Sequence, residues 1–313
     1  MERMELDIEN KKEQEDRQAE GCRICPRECG VLREDGKRGY CGVDAKIRLS
    51  RAALHMWEEP CISGEQGSGA VFFAGCPMHC VYCQNYEIAG GRGKEVSLER
   101  LTEIFLELQG KGANNINLVT PTHYSPAILQ AVKAARERGL TVPVVYNCSG
   151  YEAVDTLRKL EGIVDIYLTD YKYPDAEGAE KYSHAPDYPE VAMAALEEMV
   201  RQQPEAVFDE TGLMKKGVIV RHLLLPGRVK AGKEVVRRVY EKFGNQVYLS
   251  LMNQYTPFEQ VGKRYPELAR RVTDREYGKL LTYAMDLGVE HGFFQEGDTA
   301  EESFIPAFDY EGV

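Results

Sequence analysis

The sequence predicts an α/β fold: a partial or complete parallel β/α barrel of the TIM-like kind, preceded by an N-terminal cysteine-rich segment. Three observations lead there. From Ser68 onward, short apolar runs alternate with amphipathic stretches of roughly 10–15 residues, the pattern of successive βαβ units. Most of those apolar runs end in polar residues, as barrel strands do where they deliver side chains to the mouth. Before Ser68 the composition changes: cysteines, glycines and charges dominate, and too few apolar residues are present to build a separate core.

The elements follow in order. Ala70-Val71-Phe72-Phe73-Ala74 reads as a buried strand. Ser97 caps a helix whose Leu101, Ile104, Phe105 and Leu108 share one face. A strand is expected over Asn115 to Val119, then a helix from Ser125-Pro126 through Arg138, stopped at Gly139. Strands at Val142 to Tyr146 and Ile163 to Leu168 flank a helix at Tyr151 to Leu160. A further helix covers Tyr188 to Gln203. Phe208 to Gly212 and Val218 to Leu224 form a hairpin turning at Asp209-Glu210-Thr211-Gly212. A helix at Glu234 to Phe243, a strand at Val247 to Leu251, a helix at Arg275 to Leu287 and a strand at Gly292 to Gln295 complete six or seven units. Three regions result: a polar arm over residues 1–20, expected to be disordered; a cysteine-rich extension over 21–65; and the barrel over 66–313.

Composition limits the function. The chain has 313 residues, 43% hydrophobic and 28% charged, with a formal net charge of −11. That is an ordinary globular composition. The acidic balance argues against nucleic acid, which demands a basic footprint. No apolar run approaches the roughly 18 residues of a membrane span, so no membrane partner is expected. The N-terminus has no signal-peptide core, which points to the cytoplasm. In a reducing compartment the nine cysteines read as metal ligands or catalytic thiols rather than disulfides.

Chemistry concentrates at Gly75-Cys76-Pro77-Met78-His79-Cys80-Val81-Tyr82-Cys83. Three thiols in C-x3-C-x2-C spacing after a strand can hold a soft metal centre, an iron–sulfur cluster or zinc. Three ligands rather than four leave one iron of a cluster open. Cys22, Cys25, Cys29 and Cys41 meet the ligand count of a four-thiolate zinc site and equally of a second iron–sulfur cluster. Cys61 and Cys148 read as small buried hydrophobes, with a spare ligand and a thiol at the mouth as the respective alternatives.

The other strand ends supply polar groups: Thr120-Pro121-Thr122-His123, Asn147-Cys148-Ser149, Asp170-Tyr171-Lys172, Arg221-His222 and Asn253-Gln254-Tyr255. Alternation along a strand puts Asp170 and Lys172 on one face. An anion beside a cation suits a zwitterionic ligand. The competing reading from another class is a non-catalytic protein, with structural zinc or a sensing cluster at Cys76, Cys80 and Cys83 and a fourth protein ligand.

With these motifs in hand, the chain resembles the radical S-adenosylmethionine superfamily over about residues 66–300. Within it, the chain looks most like the pyruvate formate-lyase activating enzyme group, and especially its relatives headed by a segment like Cys22-Arg-Ile-Cys25-Pro-Arg-Glu-Cys29-Gly. The resemblance implies a [4Fe–4S] cluster on Cys76, Cys80 and Cys83, whose open iron binds the amino and carboxylate groups of S-adenosylmethionine. It implies one-electron cleavage of that cofactor to a 5′-deoxyadenosyl radical, hydrogen abstraction from a substrate, and an electron donor such as flavodoxin or ferredoxin. Tyr82 would approach the adenine, and Asp170 and Lys172 the methionyl group. Arg221 and His222 match an arginine-bearing strand before Pro226-Gly227, while Thr120, Thr122, His123, Asn147 and Ser149 complete the cofactor contacts. The substrate expected is a glycine of a partner enzyme, or alternatively a small molecule or another macromolecule. One departure stands out: Thr120-Pro121-Thr122-His123 occupies the place of the Gly-Gly-Glu that usually meets the cofactor's amino group. There is also no ferredoxin-like insert, so the second metal, zinc or iron–sulfur, has only residues 22–41 to bind it.

Overall fold

A computed structural model describes residues 21–294 and 306–313. The arm over residues 1–20 and Gln295 of the last expected strand lie outside the described residues. The strands are β1 (Arg48–His55), β2 (Ser68–Phe73), β3 (Lys94–Glu95), β4 (Ile116–Val119), β5 (Val144–Cys148), β6 (Ile166–Asp170), β7 (Val207–Phe208), β8 (Met214–Leu223), β9 (Tyr248–Met252) and β10 (Gly292–Phe294). The helices are α1 (Pro60–Ser63), α2 (Tyr86–Ala89), α3 (Leu98–Gly110), α4 (Ser125–Glu137), α5 (Val154–Lys159), α6 (Ala176–Ser183), α7 (Tyr188–Gln202), α8 (Val229–Phe243), α9 (Glu259–Arg264) and α10 (Asp274–Leu287).

One sheet runs in the order β10-β9-β8-β6-β5-β4-β2-β1-β3. From β2 to β10 every neighbouring pair is parallel, while β1 pairs antiparallel with β2 and with β3. This is the predicted α/β fold, a mostly parallel sheet consistent with a partial TIM-like barrel. β1 is an element the sequence did not announce. Its register shifts between Leu49 and Arg51, and such a bulge breaks the period-two pattern by which a strand is recognised.

Two expected strands begin later than predicted. Pro143 has no N–H to give to a ladder, and β5 starts just after it and runs on to Cys148. Ile163 and Val164 donate their N–H groups back to Leu160 O, so that stretch is a turn and β6 starts at Ile166. α5 is likewise shorter than expected, because Glu152 donates to Gly150 O and the chain turns helical only at Val154. α6 was not anticipated. Asp175 caps it by accepting from Gly178 N at 2.7 Å.

Helix α3 begins as predicted, with Ser97 accepting from Arg100 N at 3.0 Å. It buries Leu101, Ile104, Phe105 and Leu108 against Val71, Phe73, Ile116 and Leu118. The opposite faces of the strands meet inside. There Val145, Ile166, Leu168 and Ile219 pack with Cys61 and Ile62 of α1 as an apolar layer. Two residues farther along each strand stand Asn147, Asp170 and Arg221, a polar layer on the same face. The apolar layer closes the lower end; the polar layer forms the floor of the cavity above it.

Candidate active site

The loop after β2 is shaped by backbone as much as by sulfur. Gly75 sits at φ 92°, and a Cβ there would lie 2.7 Å from Cys41 O and 3.0 Å from His123 Nε2. Only glycine combines that conformation with so close an approach. Cys76 N donates to Cys41 O at 3.1 Å and Val81 N to Tyr182 O at 2.9 Å, so both ends of the loop are pinned. His79, at φ 48°, turns its Nε2 to Tyr40 O at 2.8 Å. It is a brace to the N-terminal segment.

The loop forms one wall of a cavity of about 410 Å³. Cys76, Cys80, Cys83, Tyr82, Thr120, Asn147, Ser149, Asp170, Lys172 and Arg221 all line it, together with Cys148. Burial pushes the thiol of Cys76 up to about 11, with Cys80 adding to the effect, and that of Cys83 up to about 12. Thiols so placed stay protonated unless a cation compensates for the lost hydration, which is the service a bound metal performs.

The floor is an ion network. Asp170 pairs with Lys172 Nζ and, at 3.3 Å, with Arg221 Nε. Burial opposes ionisation of Asp170, but the Lys172 and Arg221 cations prevail and lower its pKa. Burial likewise works against the Lys172 ammonium, and Asp170 more than offsets it, raising its pKa. Arg221 also donates to Asn147 Oδ1 and, at 3.0 Å, to Glu58 Oε2. Glu58 Oε1 accepts from Asn117 Nδ2 at 3.0 Å and Asn147 Nδ2 at 3.3 Å. Such a floor is pre-organised: each charge is held by its neighbours before any ligand arrives.

Residues 70–217 match the family described as the Radical SAM superfamily. That stretch is a radical SAM domain. The match begins inside β2 and takes in Cys76, Cys80, Cys83, Asn147, Asp170 and Lys172. A protein of Methanocaldococcus jannaschii, itself described as uncharacterized, is 29% identical over 273 residues, covering 84% of this chain and 74% of its own. Among solved structures, the crystal structure of HydG, a maturase of the [FeFe]-hydrogenase, superposes with a TM-score of 0.50 at 17% identity. It covers 73% of this chain, which spans about half of HydG (52%), and the likeness is one of fold.

Around the radical SAM domain's cavity, three of the expected contacts fall elsewhere. Thr122 Oγ1 donates to Glu152 Oε1 at 2.7 Å. The His123 ring bonds Ala74 O at 2.8 Å, and burial lowers its pKa to about 3. The His222 ring bonds Tyr171 O at 2.9 Å, and burial lowers it to about 4. None of the three lines the cavity, and both histidines are neutral fixtures of the scaffold. Tyr255 is buried too, donating to Leu268 O at 2.7 Å, whereas its neighbour Gln254 lines the cavity.

The residues that sequence reasoning missed come mainly from β1 and the turn after it. His55, Trp57 and Glu58 line the cavity, as do Phe72 of β2 and Pro306. Their signal was the run Trp57-Glu58-Glu59-Pro60, in which two carboxylates precede a helix-starting proline; only the strand before it reveals that Glu58 lines the cavity while Glu59 is buried outside its lining.

In the N-terminal segment Cys25 and Cys41 are buried and Cys22 and Cys29 partly so. A Cβ on Gly39 would lie 3.2 Å from Cys29 Sγ and 3.6 Å from Cys41 Sγ. Burial raises Cys25 to about 12. Among the described residues no three His, Cys, Asp or Glu side chains stand close enough together to hold a single metal ion. Cys61 is buried in the apolar layer, remote in role from either thiol group. No described helix is long and apolar enough to cross a membrane.

Proposed function

We propose that this protein is a radical S-adenosylmethionine enzyme whose cluster is held by Cys76, Cys80 and Cys83. The observation that carries the reading is the single cavity that has three half-buried thiols and a paired anion and cation, Asp170 and Lys172, in its lining. The residues fit the group: three thiols and no fourth among the residues lining the cavity other than Cys148, which instead donates to Thr169 Oγ1 at 3.4 Å. When bound, the cluster and S-adenosylmethionine supply an electron and a 5′-deoxyadenosyl radical that takes a hydrogen atom.

The chain's own residues have other tasks. Asp170 and Lys172 offer opposite charges to the zwitterionic methionyl end. Tyr82, at the cluster loop, offers an aromatic edge to the adenine, and Thr120, Asn147 and Ser149 offer hydrogen bonds in place of the missing Gly-Gly-Glu. His55, Trp57 and Phe72 add apolar and aromatic surface to the cavity lining.

For the substrate, the activating-enzyme reading is hydrogen abstraction from a glycine of a partner enzyme, with flavodoxin or ferredoxin as electron donor. A small-molecule substrate is the second reading. It is favoured by His55, Trp57 and Phe72, which line the same cavity beyond the residues assigned to cluster and cofactor and offer a small substrate apolar contact. A second metal at Cys22, Cys25, Cys29 and Cys41 belongs to the same proposal, although these thiols as placed do not gather around a single ion; iron and zinc analysis of a Cys22→Ala/Cys25→Ala variant tests it, and wild-type protein that holds no metal beyond one cluster would remove it. Thiolate ligation also calls for a reducing compartment, the cytoplasm.

The binding reading is tested by adding S-adenosylmethionine to reduced, iron-reconstituted protein and following the cluster's EPR spectrum. A perturbed spectrum is expected, with an apparent affinity weakened about tenfold or more in Lys172→Ala, the loss of one charge-assisted contact. An unperturbed spectrum at full cluster loading would refute it.

A further inference from the structure

Behind the cysteine loop lies a chain of hydroxyl groups that ends on sulfur. Tyr82 OH is 2.8 Å from Tyr173 OH, Tyr173 OH is 2.6 Å from Ser183 Oγ, and Ser183 Oγ donates to Cys80 Sγ at 3.0 Å. Ser183 is fully buried, and Tyr82 and Tyr173 nearly so. A metal-bound thiolate can only accept, which commits the Ser183 proton to Cys80. Ser183 Oγ must then accept from Tyr173, and Tyr173 from Tyr82. The chain has one direction, toward the sulfur, and each link polarises the next.

The N-terminal segment holds this chain in place. Ser183 is the last residue of α6, and the turn that follows places His184 at φ 50°. The Arg27 guanidinium donates to Ser183 O at 3.0 Å, to His184 O, and through Nε to Pro77 O at 2.9 Å. It lies over the rings of Tyr40 and Tyr151. One side chain, set between Cys25 and Cys29, thus ties the end of α6 to the loop that carries the thiols.

We propose that Ser183 is a positioning residue that sets the reduction potential of the cluster through its hydrogen bond to Cys80, and that Arg27 holds Ser183 in that position. The inference rests on the proposed cluster at Cys76, Cys80 and Cys83. A donor to a ligand sulfur stabilises the reduced cluster, which carries the greater negative charge, more than the oxidised one. Removing the donor therefore moves the potential to more negative values.

The test is an anaerobic redox titration of reconstituted full-length protein, with the reduced cluster quantified by EPR. Ser183→Ala is expected to lower the ratio of reduced to oxidised cluster at a fixed potential about tenfold, a shift of about 59 mV for a one-electron couple. Ser183→Thr keeps the hydroxyl and retains the wild-type midpoint. Tyr173→Phe and Arg27→Ala shift it in the same direction by less. Tyr173→Phe leaves Ser183 and Cys80 untouched, so it decides the matter if Ser183→Ala fails to load. Loaded Ser183→Ala or Tyr173→Phe protein with the wild-type midpoint overturns the inference while leaving the cluster reading intact. Wild-type protein that takes up no [4Fe–4S] cluster overturns both.

Discussion

At the residue scale, the site depends on charges that hold one another. Arg221 is the hub, joined to Glu58, Asn147 and Asp170. Replacing it with Met takes the cation from the half-buried Glu58 and leaves Asp170 with Lys172 alone, and losing hydrogen bonds between charged groups costs about 1.5–3 kcal/mol. Urea denaturation of Arg221→Met should show a loss of that order; a loss below about 1 kcal/mol would mean that the network relaxes into water. Glu152 gives a pH signature. Burial raises its pKa from 4.5 to about 7, against hydrogen bonds from Thr122 and Tyr146 that favour the charged form. Below pH 4.5 it is protonated in both folded and unfolded chains, and its contribution is fully present. Between pH 4.5 and 7 the unfolded chain ionises first, and the contribution is lost. Wild-type stability relative to Glu152→Gln should therefore fall across that window by on the order of 3 kcal/mol; parallel pH curves for the two proteins would contradict it.

At this same scale, what could be read from the sequence depended on whether chemistry follows spacing or contact. Cys76, Cys80 and Cys83 are legible because three ligands on one loop need only local spacing. Asp170 and Lys172 are legible because two residues at a strand end share a face. His123 and His222 look alike in sequence, as polar residues at strand ends, and their burial behind the strands depends on neighbours hundreds of atoms away in the chain. Glu58 was invisible as a site residue because its partner Arg221 is 163 positions distant.

At the element scale, most long elements with regular periods are legible in sequence, while the bulged β1 and the short capped helix α6 are not. α3, α4 and α10 have capping signals and an apolar face, and each begins within one residue of its expected start. β1 was hidden by its bulge, and the early starts assigned to β5 and β6 reflect a proline and a back-bonded turn inside apolar runs. The junction between β2 and the cysteine loop carries its own prediction. Gly75→Ala adds a methyl group 2.7 Å from Cys41 O at φ 92°. It should destabilise the protein by more than about 1 kcal/mol and reduce the iron retained after reconstitution and desalting. Wild-type iron content and denaturation midpoint in that variant would show that the loop has room it is not credited with.

At the scale of the whole molecule, the sheet brings strands far apart in sequence to one mouth, and the radical SAM domain supplies most of it. The cysteine-rich segment is not a separate appendage: β1 extends the sheet, Cys41 O and Arg27 hold the cysteine loop, and Glu58 reaches the cavity floor. The proposed activity of this cavity is cleavage of S-adenosylmethionine at a cluster on Cys76, Cys80 and Cys83. The direct measurement is 5′-deoxyadenosine formed by anaerobically reconstituted, reduced protein supplied with S-adenosylmethionine. The wild type is expected to form it and Cys80→Ala to form none. Wild-type protein with a fully loaded, reducible cluster that forms no 5′-deoxyadenosine would contradict it.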